Sequence, residues 1–154
     1  MTEIAPDSNG EGLRVCIVVA EWNAFVTHKL LEGAKSGLRE NGVQSDDITI
    51  AWVPGSFEVP AATRWSAESG RFDAVIALGT VIKGETDHYE HIASQAAAGI
   101  METSQATGVP VVFGVLTCET PEQALDRAGG TQGNKGEEAA TAAIQMARLR
   151  QRLA

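Results

Sequence analysis

The feature that most constrains the fold is an apolar run that ends abruptly in a polar cluster. Residues 74–82 read Ala-Val-Ile-Ala-Leu-Gly-Thr-Val-Ile, a composition typical of a strand that is covered on both faces. Lys83-Gly84 breaks the pattern, and an Ala-rich, helix-prone segment begins near His88. Because a strand buried on both faces needs helices on both sides, this run predicts a parallel sheet.

Three further apolar segments share this strand character, and helical patterns separate them. The predicted strands cover residues 13–20, 48–53, 74–82 and 111–116. The predicted helices cover residues 25–40, 57–69, 88–106, 120–127 and 137–153. Residues 1–11 are predicted to be a flexible arm and residues 12–154 a single domain. The alternation predicts an α/β three-layer sandwich, with helices on both faces of a four-stranded parallel sheet.

Charge and cysteine content argue against several kinds of partner and location. The chain carries 12 Lys and Arg against 20 Asp and Glu, and the net charge of −8 disfavours a nucleic-acid or anionic-membrane partner. The polar first residues lack the apolar core of a signal peptide, and no run approaches the ~18 apolar residues of a membrane span. Cys16 and Cys118 are too far apart to suggest a zinc pair. We expect both to be reduced, in a cytoplasmic protein.

Polar clusters follow the ends of the predicted strands, where parallel sheets bind their ligands. They cover residues 22–23, 54–58, 80–88 and 117–127. The helix that starts after Gly84 offers free amide groups to an anion such as phosphate. His88, in the first turn of that helix, can exchange protons near neutral pH, and the Arg127 guanidinium suits a bidentate grip on phosphate. Together they predict a phosphoester-binding α/β domain with a histidine acid/base.

Each of these residues also has a structural interpretation. Trp22 could be a core aromatic instead of a stacking surface, and Glu58 could favour a helix dipole instead of binding a polyol. Arg127 could be an ordinary cation at a helix end. His88 and His91 could share a metal ion, although no third ligand is apparent in the sequence. The favoured interpretation of His91 is that it packs or hydrogen-bonds along its helix.

Four separated motifs match one enzyme family together. They are Pro-Gly-Ser-Phe-Glu-Val-Pro at 54–60, residues 79–90, Arg-Ala-Gly at 127–129 and Gly-Asn-Lys-Gly at 133–136. In order and spacing, the chain from Leu13 onwards resembles lumazine synthase, the penultimate enzyme of riboflavin biosynthesis. The resemblance implies a flavodoxin-like strand order, 2-1-3-4. It also implies condensation of 5-amino-6-(D-ribitylamino)uracil with 3,4-dihydroxy-2-butanone 4-phosphate to 6,7-dimethyl-8-ribityllumazine, with release of water and phosphate and without cofactor or metal.

The resemblance also assigns roles to residues. It implies that Trp22 stacks on the pyrimidine and that His88 shuttles protons during imine formation and phosphate elimination. The positions implied to bind the pyrimidine and ribityl chain are Trp22, Asn23, Ser56, Phe57, Glu58, Thr80, Val81, Ile82, Phe113 and Lys135. The positions implied to bind the phosphate are Gly84, Glu85, Thr86 and Arg127. The stacking position is commonly Phe in the family, so we expect the larger Trp22 to bind flavins more tightly.

An oligomer of identical subunits is a further implication of the resemblance. In the family the site lies between adjacent subunits, with Phe113, Arg127 and Lys135 supplied by the neighbour, so a pentamer is expected. The short link 129–136 favours a sixty-subunit icosahedral shell, although Thr131 replaces a lysine that many shell-forming members carry. Riboflavin synthase is a possible protein partner.

Two rival functions use the same scaffold without catalysis. A flavin- or lumazine-binding storage module would need Trp22 and Glu58 but not His88 or Arg127. A purely structural shell protein would need none of these four residues. Because all four are present, the sequence favours the enzyme.

Overall fold

A computed structural model describes all 154 residues of the chain. The strands of the main sheet are β1 (Val15–Ala20), β2 (Ile48–Val53), β3 (Ala74–Ile82) and β4 (Val111–Cys118). The helices are α1 (Ala24–Glu40), α2 (Val59–Glu68), α3 (His88–Thr107), α4 (Pro121–Asp126) and α5 (Lys135–Leu153). A 3-10 turn (Ser45–Asp47) precedes β2, and two short strands, β5 (Ala128–Gly130) and β6 (Gly133–Asn134), form a hairpin before α5.

The main sheet confirms the predicted architecture. Its strand order is β2-β1-β3-β4, and all three neighbouring pairs are parallel. The predicted three-layer α/β fold and the order 2-1-3-4 are therefore confirmed. Since every strand runs in the same direction, the four carboxyl ends lie along one edge of the sheet, while β2 and β4 form its two sides.

Two apolar cores cover the sheet, one on each face. On one face, α1, α4 and α5 pack over β1 and β3, with Leu30, Ile76 and Ile144 fully buried. On the other face, α2 and α3 enclose a smaller core that includes Val18 and Ile100. Alternate residues of β1 and β3 enter opposite cores, as the pleat of a strand requires. The continuous apolar runs in the sequence have this double burial as their cause.

Most element boundaries agree with the sequence, and the differences have local causes. Strands β2 and β3 have the predicted bounds, whereas β4 continues to Cys118 because Cys118 pairs with Ile82. The segment predicted as a glycine-rich link forms the β5–β6 hairpin, and α5 starts at Lys135 instead of 137 because Asn134 caps it. Helix α3 ends at Gly108, whose φ of 70° is the left-handed conformation that glycine adopts without strain.

The residues before β1 form no helix or strand, but several of them contact α5. The Arg148 Nε donates to the Asn9 carbonyl at 2.7 Å, and Arg152 forms an ion pair with Asp7 at 2.7 Å. Gly10 is buried, and its amide donates to the Asn41 carbonyl at 2.7 Å. The flexibility of residues 1–11 stays a prediction. None of the five helices is both long enough and apolar enough to cross a membrane.

Candidate active site

The ends of β1 and β2 bring Trp22 against a glycine. The Glu21 and Trp22 amides donate to the Val53 and Pro54 carbonyls at 2.8 and 3.0 Å, which continues the strand pairing past both strands. A Cβ on Gly55 would come within 2.5 Å of Trp22 Cε3, so the indole lies directly on the Gly55 backbone. With 64% of its surface exposed, Trp22 is not a core aromatic. Its ring is available to stack a planar ligand.

Two polar side chains fix the turns around this tryptophan. Glu58 accepts a hydrogen bond from the Gly55 amide at 3.0 Å, which closes the turn before α2. The Asn23 Nδ2 donates to the Thr80 carbonyl at 2.9 Å and so ties the end of β1 to the end of β3. Asn23 is the one non-glycine residue with a positive φ, 62°, a conformation that asparagine tolerates better than most residues. The three strand ends are therefore held in one arrangement.

Buried hydroxyl groups without partners lie at the same strand ends. Ser56 and Thr80 are 6% and 3% exposed, and neither side-chain oxygen has a hydrogen-bond partner. Ser56 fits because Gly79 has no side chain, since a Cβ there would lie 2.5 Å from Ser56 Oγ. An unpaired buried polar group costs about 1–3 kcal/mol, and both hydroxyls retain unused hydrogen-bonding capacity. A third unpaired hydroxyl, that of Thr27, lies in α1.

The strand-end cluster is the name used below for eight of the predicted binding positions. Its members are Trp22, Asn23, Ser56, Phe57, Glu58, Thr80, Val81 and Ile82. Contacts or hydrogen bonds link Trp22 through Gly55 to Glu58, and Asn23 to Thr80. Phe57 is exposed beside them, Val81 is buried in the α2–α3 core, and Ile82 packs on the opposite core.

The 83–88 loop joins β3 to α3 and is exposed along its whole length. The Lys83 amide donates to the Cys118 carbonyl at 2.9 Å, and the His88 amide reaches Thr86 Oγ1 at 3.4 Å. The amides of residues 84–87 donate no hydrogen bond within the chain. Asp87 precedes the helix without capping it through its side chain. The start of this 20-residue helix is therefore open to an anion.

His88 is the first residue of α3, and its side chain is exposed beside these free amides. The His91 side chain, one turn further on, is also exposed and makes no hydrogen bond within the chain, so the expectation that it packs or hydrogen-bonds does not hold. No group of three or more His, Cys, Asp or Glu side chains is arranged to hold a metal ion.

The remaining predicted residues lie elsewhere, in a cavity along the free side of β4. This edge groove has a volume of about 480 Å³ and lies between β4 and the start of α5, and Phe113, Arg127 and Lys135 are among its lining residues. Arg127 Nη1 donates to the Gln123 carbonyl at 3.0 Å, and Lys135 pairs with Glu138 at 2.8 Å. No hydrogen bond or ion pair joins either cation to the 83–88 loop. Within one chain, the predicted site is thus divided between two surfaces.

Cys118 also lines the edge groove. Burial raises the pKa of its thiol, and the nearby Arg127 guanidinium opposes this shift only in part. A thiol with a raised pKa stays protonated at neutral pH and is a poor nucleophile. Both cysteines are free.

Two asparagines that organise these surfaces have structural roles that the sequence does not predict. Asn23 was predicted to bind substrate, but its bond to the Thr80 carbonyl and its left-handed backbone were not foreseen. Asn134 was noticed only as part of a motif, whereas its side chain links α5 to α1. The Gly-Asn-Lys-Gly pattern before a helix was the available signal, since asparagine is a preferred N-cap.

The fold and these surfaces define the class of protein: an open α/β protein that receives a small polar ligand at the carboxyl ends of its parallel strands. A family model described as 6,7-dimethyl-8-ribityllumazine synthase matches residues 12–151, and the chain belongs to this family. The resemblance seen in the four motifs is confirmed. The family consists of transferase enzymes of riboflavin biosynthesis, and it implies small-molecule substrates and oligomeric assembly.

Proposed function

We propose that the protein condenses 5-amino-6-(D-ribitylamino)uracil with 3,4-dihydroxy-2-butanone 4-phosphate to give 6,7-dimethyl-8-ribityllumazine, releasing phosphate and water. The observation that carries this proposal is the arrangement at the end of β3. There, an exposed aromatic ring and two unpaired buried hydroxyls adjoin a helix start with free amides and a histidine. A planar, hydroxyl-rich substrate and a phosphorylated one need these two environments side by side.

The strand-end cluster suits the pyrimidine. Trp22 offers an indole face held against Gly55, and the Ser56 and Thr80 hydroxyls have unused hydrogen-bonding capacity. The backbone of Thr80, Val81 and Ile82 reaches the carboxyl end of β3, where it can pair with the edge of the ring. Glu58 and Asn23 are already bonded to the backbone, and each retains oxygen atoms that can accept further bonds from ribityl hydroxyls. Preformed contacts of this kind reduce the cost of ordering on binding.

The 83–88 loop suits the phosphate. Four successive amides, those of residues 84–87, are free to donate, and the dipole of α3 favours negative charge at this end. The loop contributes Gly84, Glu85 and Thr86 to the phosphate site. Because Glu85 and Asp87 are themselves acidic, the amides need cations beside them, and Arg127 is the guanidinium that we assign to this role.

His88, the first residue of α3, is the side chain that we assign to the proton transfers between these two environments. Proton transfers accompany both imine formation and loss of phosphate, and an imidazole can take up and return protons near neutral pH. The reacting amine and ketone are intrinsically reactive, so holding them together supplies much of the acceleration. The chemistry needs no cofactor.

The division of the site supports a shared site between subunits. In one chain Phe113, Arg127 and Lys135 line the edge groove, and no residue of the strand-end cluster does so. The opposite side of the sheet exposes a different apolar patch, formed by Phe25, Ile50 and Trp52. Two unlike surfaces on opposite sides of the sheet favour head-to-tail contacts, which close into rings when the rotation permits. We infer a pentamer in which each edge groove completes the site of the next subunit.

The deciding experiment mixes the two substrates with purified protein and follows the absorbance or fluorescence of the lumazine product. We expect product in proportion to enzyme, with one phosphate released per lumazine. A folded oligomer that forms no product would refute the proposed reaction and leave the binding or structural alternatives.

Sharing of the site is tested with two impaired variants, assayed at a concentration of the phosphorylated substrate well below its KM, where a raised KM lowers the rate. We expect His88→Ala and Arg127→Ala chains to be poorly active alone and to regain activity when co-expressed. In a random ring about a quarter of the interfaces would then carry both native side chains. Mixed oligomers no more active than the separate variants would show that both residues serve the same subunit's site.

Higher assembly is a further part of the proposal. We propose that pentamers associate into a sixty-subunit icosahedral shell, supported by the short connection 129–136, and that the protein acts in the cytoplasm. Riboflavin synthase is the partner that we propose for the shell. Electron microscopy of purified particles distinguishes hollow shells from isolated rings, and co-purification tests the partner.

A further inference from the structure

Asn134 lies where the β5–β6 hairpin, α5 and α1 meet, and its side chain bonds to two of these elements. Oδ1 accepts hydrogen bonds from the Gly136 and Glu137 amides at 2.8 and 3.2 Å, which caps α5. Nδ2 donates to the Lys29 carbonyl in α1 at 3.0 Å, across 105 residues of sequence. A helix cap needs only the first pair of bonds. The bond to α1 is an additional function of this side chain.

Glycines on both helices make room for this contact. A Cβ on Gly33 of α1 would overlap the Asn134 amide, and a Cβ on Gly136 of α5 would overlap the Leu30 carbonyl oxygen. The two helices therefore meet backbone to backbone, with the Asn134 side chain seated in the notch at Gly33. A contact this close leaves the start of α5 little freedom to shift against α1.

The backbone fixed by Asn134 carries both cations of the edge groove. Lys135 is the next residue, and its amide donates to the Arg127 carbonyl at 2.8 Å. Ala128, next to Arg127, pairs with Asn134 across the hairpin. By contrast, the Lys135 side chain is restrained only by an exposed ion pair to Glu138, a kind of interaction that contributes little. The position of Lys135 therefore depends on its backbone, and that of Arg127 on its backbone together with the bond from its guanidinium to the Gln123 carbonyl at 3.0 Å.

We propose that Asn134 is the positioning residue of the edge groove: its link to α1 sets where Arg127 presents its charge to the phosphate. This inference rests on the proposed function, because that proposal assigns Arg127 to the phosphorylated substrate. It adds that substrate affinity is controlled from the α1–α5 contact, by a side chain that touches no substrate.

Two substitutions separate the link from the cap. Asn134→Ser keeps a good capping oxygen but is too short to reach the Lys29 carbonyl. Asn134→Asp keeps length and cap but places an oxygen where the amide donor was. In both, we expect the KM for the phosphorylated substrate to rise about tenfold, because small misplacements of charged groups are costly. The pyrimidine KM should stay within about twofold, with a melting temperature close to that of the parent.

A matched pair of glycine substitutions tests the same contact from the α1 side. Gly33→Ala should displace the Asn134 side chain and reproduce the rise in KM with Asn134 intact. Gly37→Ala, one turn further along α1, meets Ala140 of α5 at 2.9 Å but not Asn134. We expect this control to lower the melting temperature without changing the KM for the phosphorylated substrate. If Asn134→Ser does not fold, the glycine pair alone decides the question.

The affinity for inorganic phosphate can be measured by calorimetry on the full-length oligomer. This test does not require the enzyme to turn over, unlike the KM measurements. We expect about tenfold weaker binding in Asn134→Ser and Gly33→Ala than in the parent and in Gly37→Ala. Unchanged phosphate affinity in both variants would overturn the inference and leave Asn134 as a cap only. An equal rise in both substrate KM values with a lowered melting temperature would likewise overturn it. If the variants bind phosphate more weakly than the parent, as expected, but the parent makes no lumazine, the proposed reaction is refuted and the positioning role is supported.

Discussion

The strand-end cluster and the 83–88 loop are neighbours along β3, yet they are built in opposite ways. In the cluster, Trp22 lies on Gly55, and Asn23 is bonded to the end of β3. In the loop, every side chain is exposed, and a Cβ on Gly84 would meet nothing within 4 Å. A planar ring is recognised by shape, which needs fixed walls, whereas a phosphate is recognised by charge and by amides pointing at it. In the proposed reaction, the rigid part would therefore serve the ring and the open part the phosphate.

The difference between the two regions also allows phosphate to be released from the loop while the pyrimidine stays bound at the cluster. The phosphate leaves during the proposed reaction, so its cradle has to open to solvent while the ring stays in place. Regions with few internal contacts open at low cost in free energy. The contrast suggests that chemistry and product release use the loop, and that pyrimidine affinity depends on the cluster.

The largest expected effect is at the junction of the two regions. His88→Ala should lower kcat by about 100-fold, the lower end of what a positioned acid/base contributes, because proton transfers lose their relay. Pyrimidine affinity should be nearly unchanged, as measured by calorimetry with the pyrimidine alone. His91→Ala, equally exposed on the same helix, is the control. Loss of pyrimidine binding in His88→Ala would mean that His88 has a structural role in the site.

A pair of glycine substitutions tests the contrast directly. Gly55→Ala drives a Cβ towards Trp22 at 2.5 Å and should raise the pyrimidine KM about tenfold or more, with about 1–3 kcal/mol lost in unfolding free energy. Gly84→Ala meets no neighbour and keeps its amide, so we expect both KM values to stay within about twofold. If Gly55→Ala and Gly84→Ala changed the KM values equally, the distinction between a rigid cluster and an open loop would be wrong.

Arg127→Ala should raise the KM for the phosphorylated substrate about tenfold, because a charge-assisted hydrogen bond contributes about 1.5–3 kcal/mol. Steady-state kinetics with each substrate varied in turn measures this, and Arg64→Ala on the exposed face of α2 serves as the control. A change confined to the pyrimidine KM would show that the phosphate role is misassigned.

Trp22→Phe should weaken riboflavin binding about threefold, because the smaller ring stacks over less area. Fluorescence quenching of riboflavin measures the affinity, and Trp65→Phe, at another exposed tryptophan, corrects for general effects. An unchanged riboflavin affinity in Trp22→Phe would contradict the expectation that the larger indole binds flavins more tightly.

The smallest effect concerns the scaffold beneath the cluster. Burial raises the pKa of the Cys16 thiol in β1 above its ordinary value of 9.0, more than the hydrogen bond with Ser66 lowers it. The folded state thus holds this proton more tightly than the unfolded chain, so the stabilisation is complete below about pH 9 and is lost as pH rises through the folded pKa. Melting temperatures between about pH 8 and about pH 10.5 should fall further for the parent than for Cys16→Ala. Parallel curves for the two proteins would contradict this.

Much of the fold followed from the sequence because the relevant signals are local. Residues 74–82 are apolar at nearly every position, a composition typical of a strand buried on both faces. The bounds of β3 were predicted correctly for this reason, and those of β2, a half-exposed strand at the side of the sheet, agree as well. The end of β4 at Cys118 and the β5–β6 hairpin were not, because pairing with a distant strand or across a glycine-rich turn leaves little trace in composition.

For the site, the sequence alone determined the family, whose model matches residues 12–151, and it predicted the candidate residues: a histidine at a helix start and an aromatic residue after β1. The tertiary structure decided how these residues are held. It placed Trp22 on Gly55, left the Ser56 and Thr80 hydroxyls without partners, and put Arg127 in a separate groove. Motifs are short and local, whereas contacts between strand ends and across the α1–α5 junction join residues up to 105 positions apart. Only the packed chain brings such residues together.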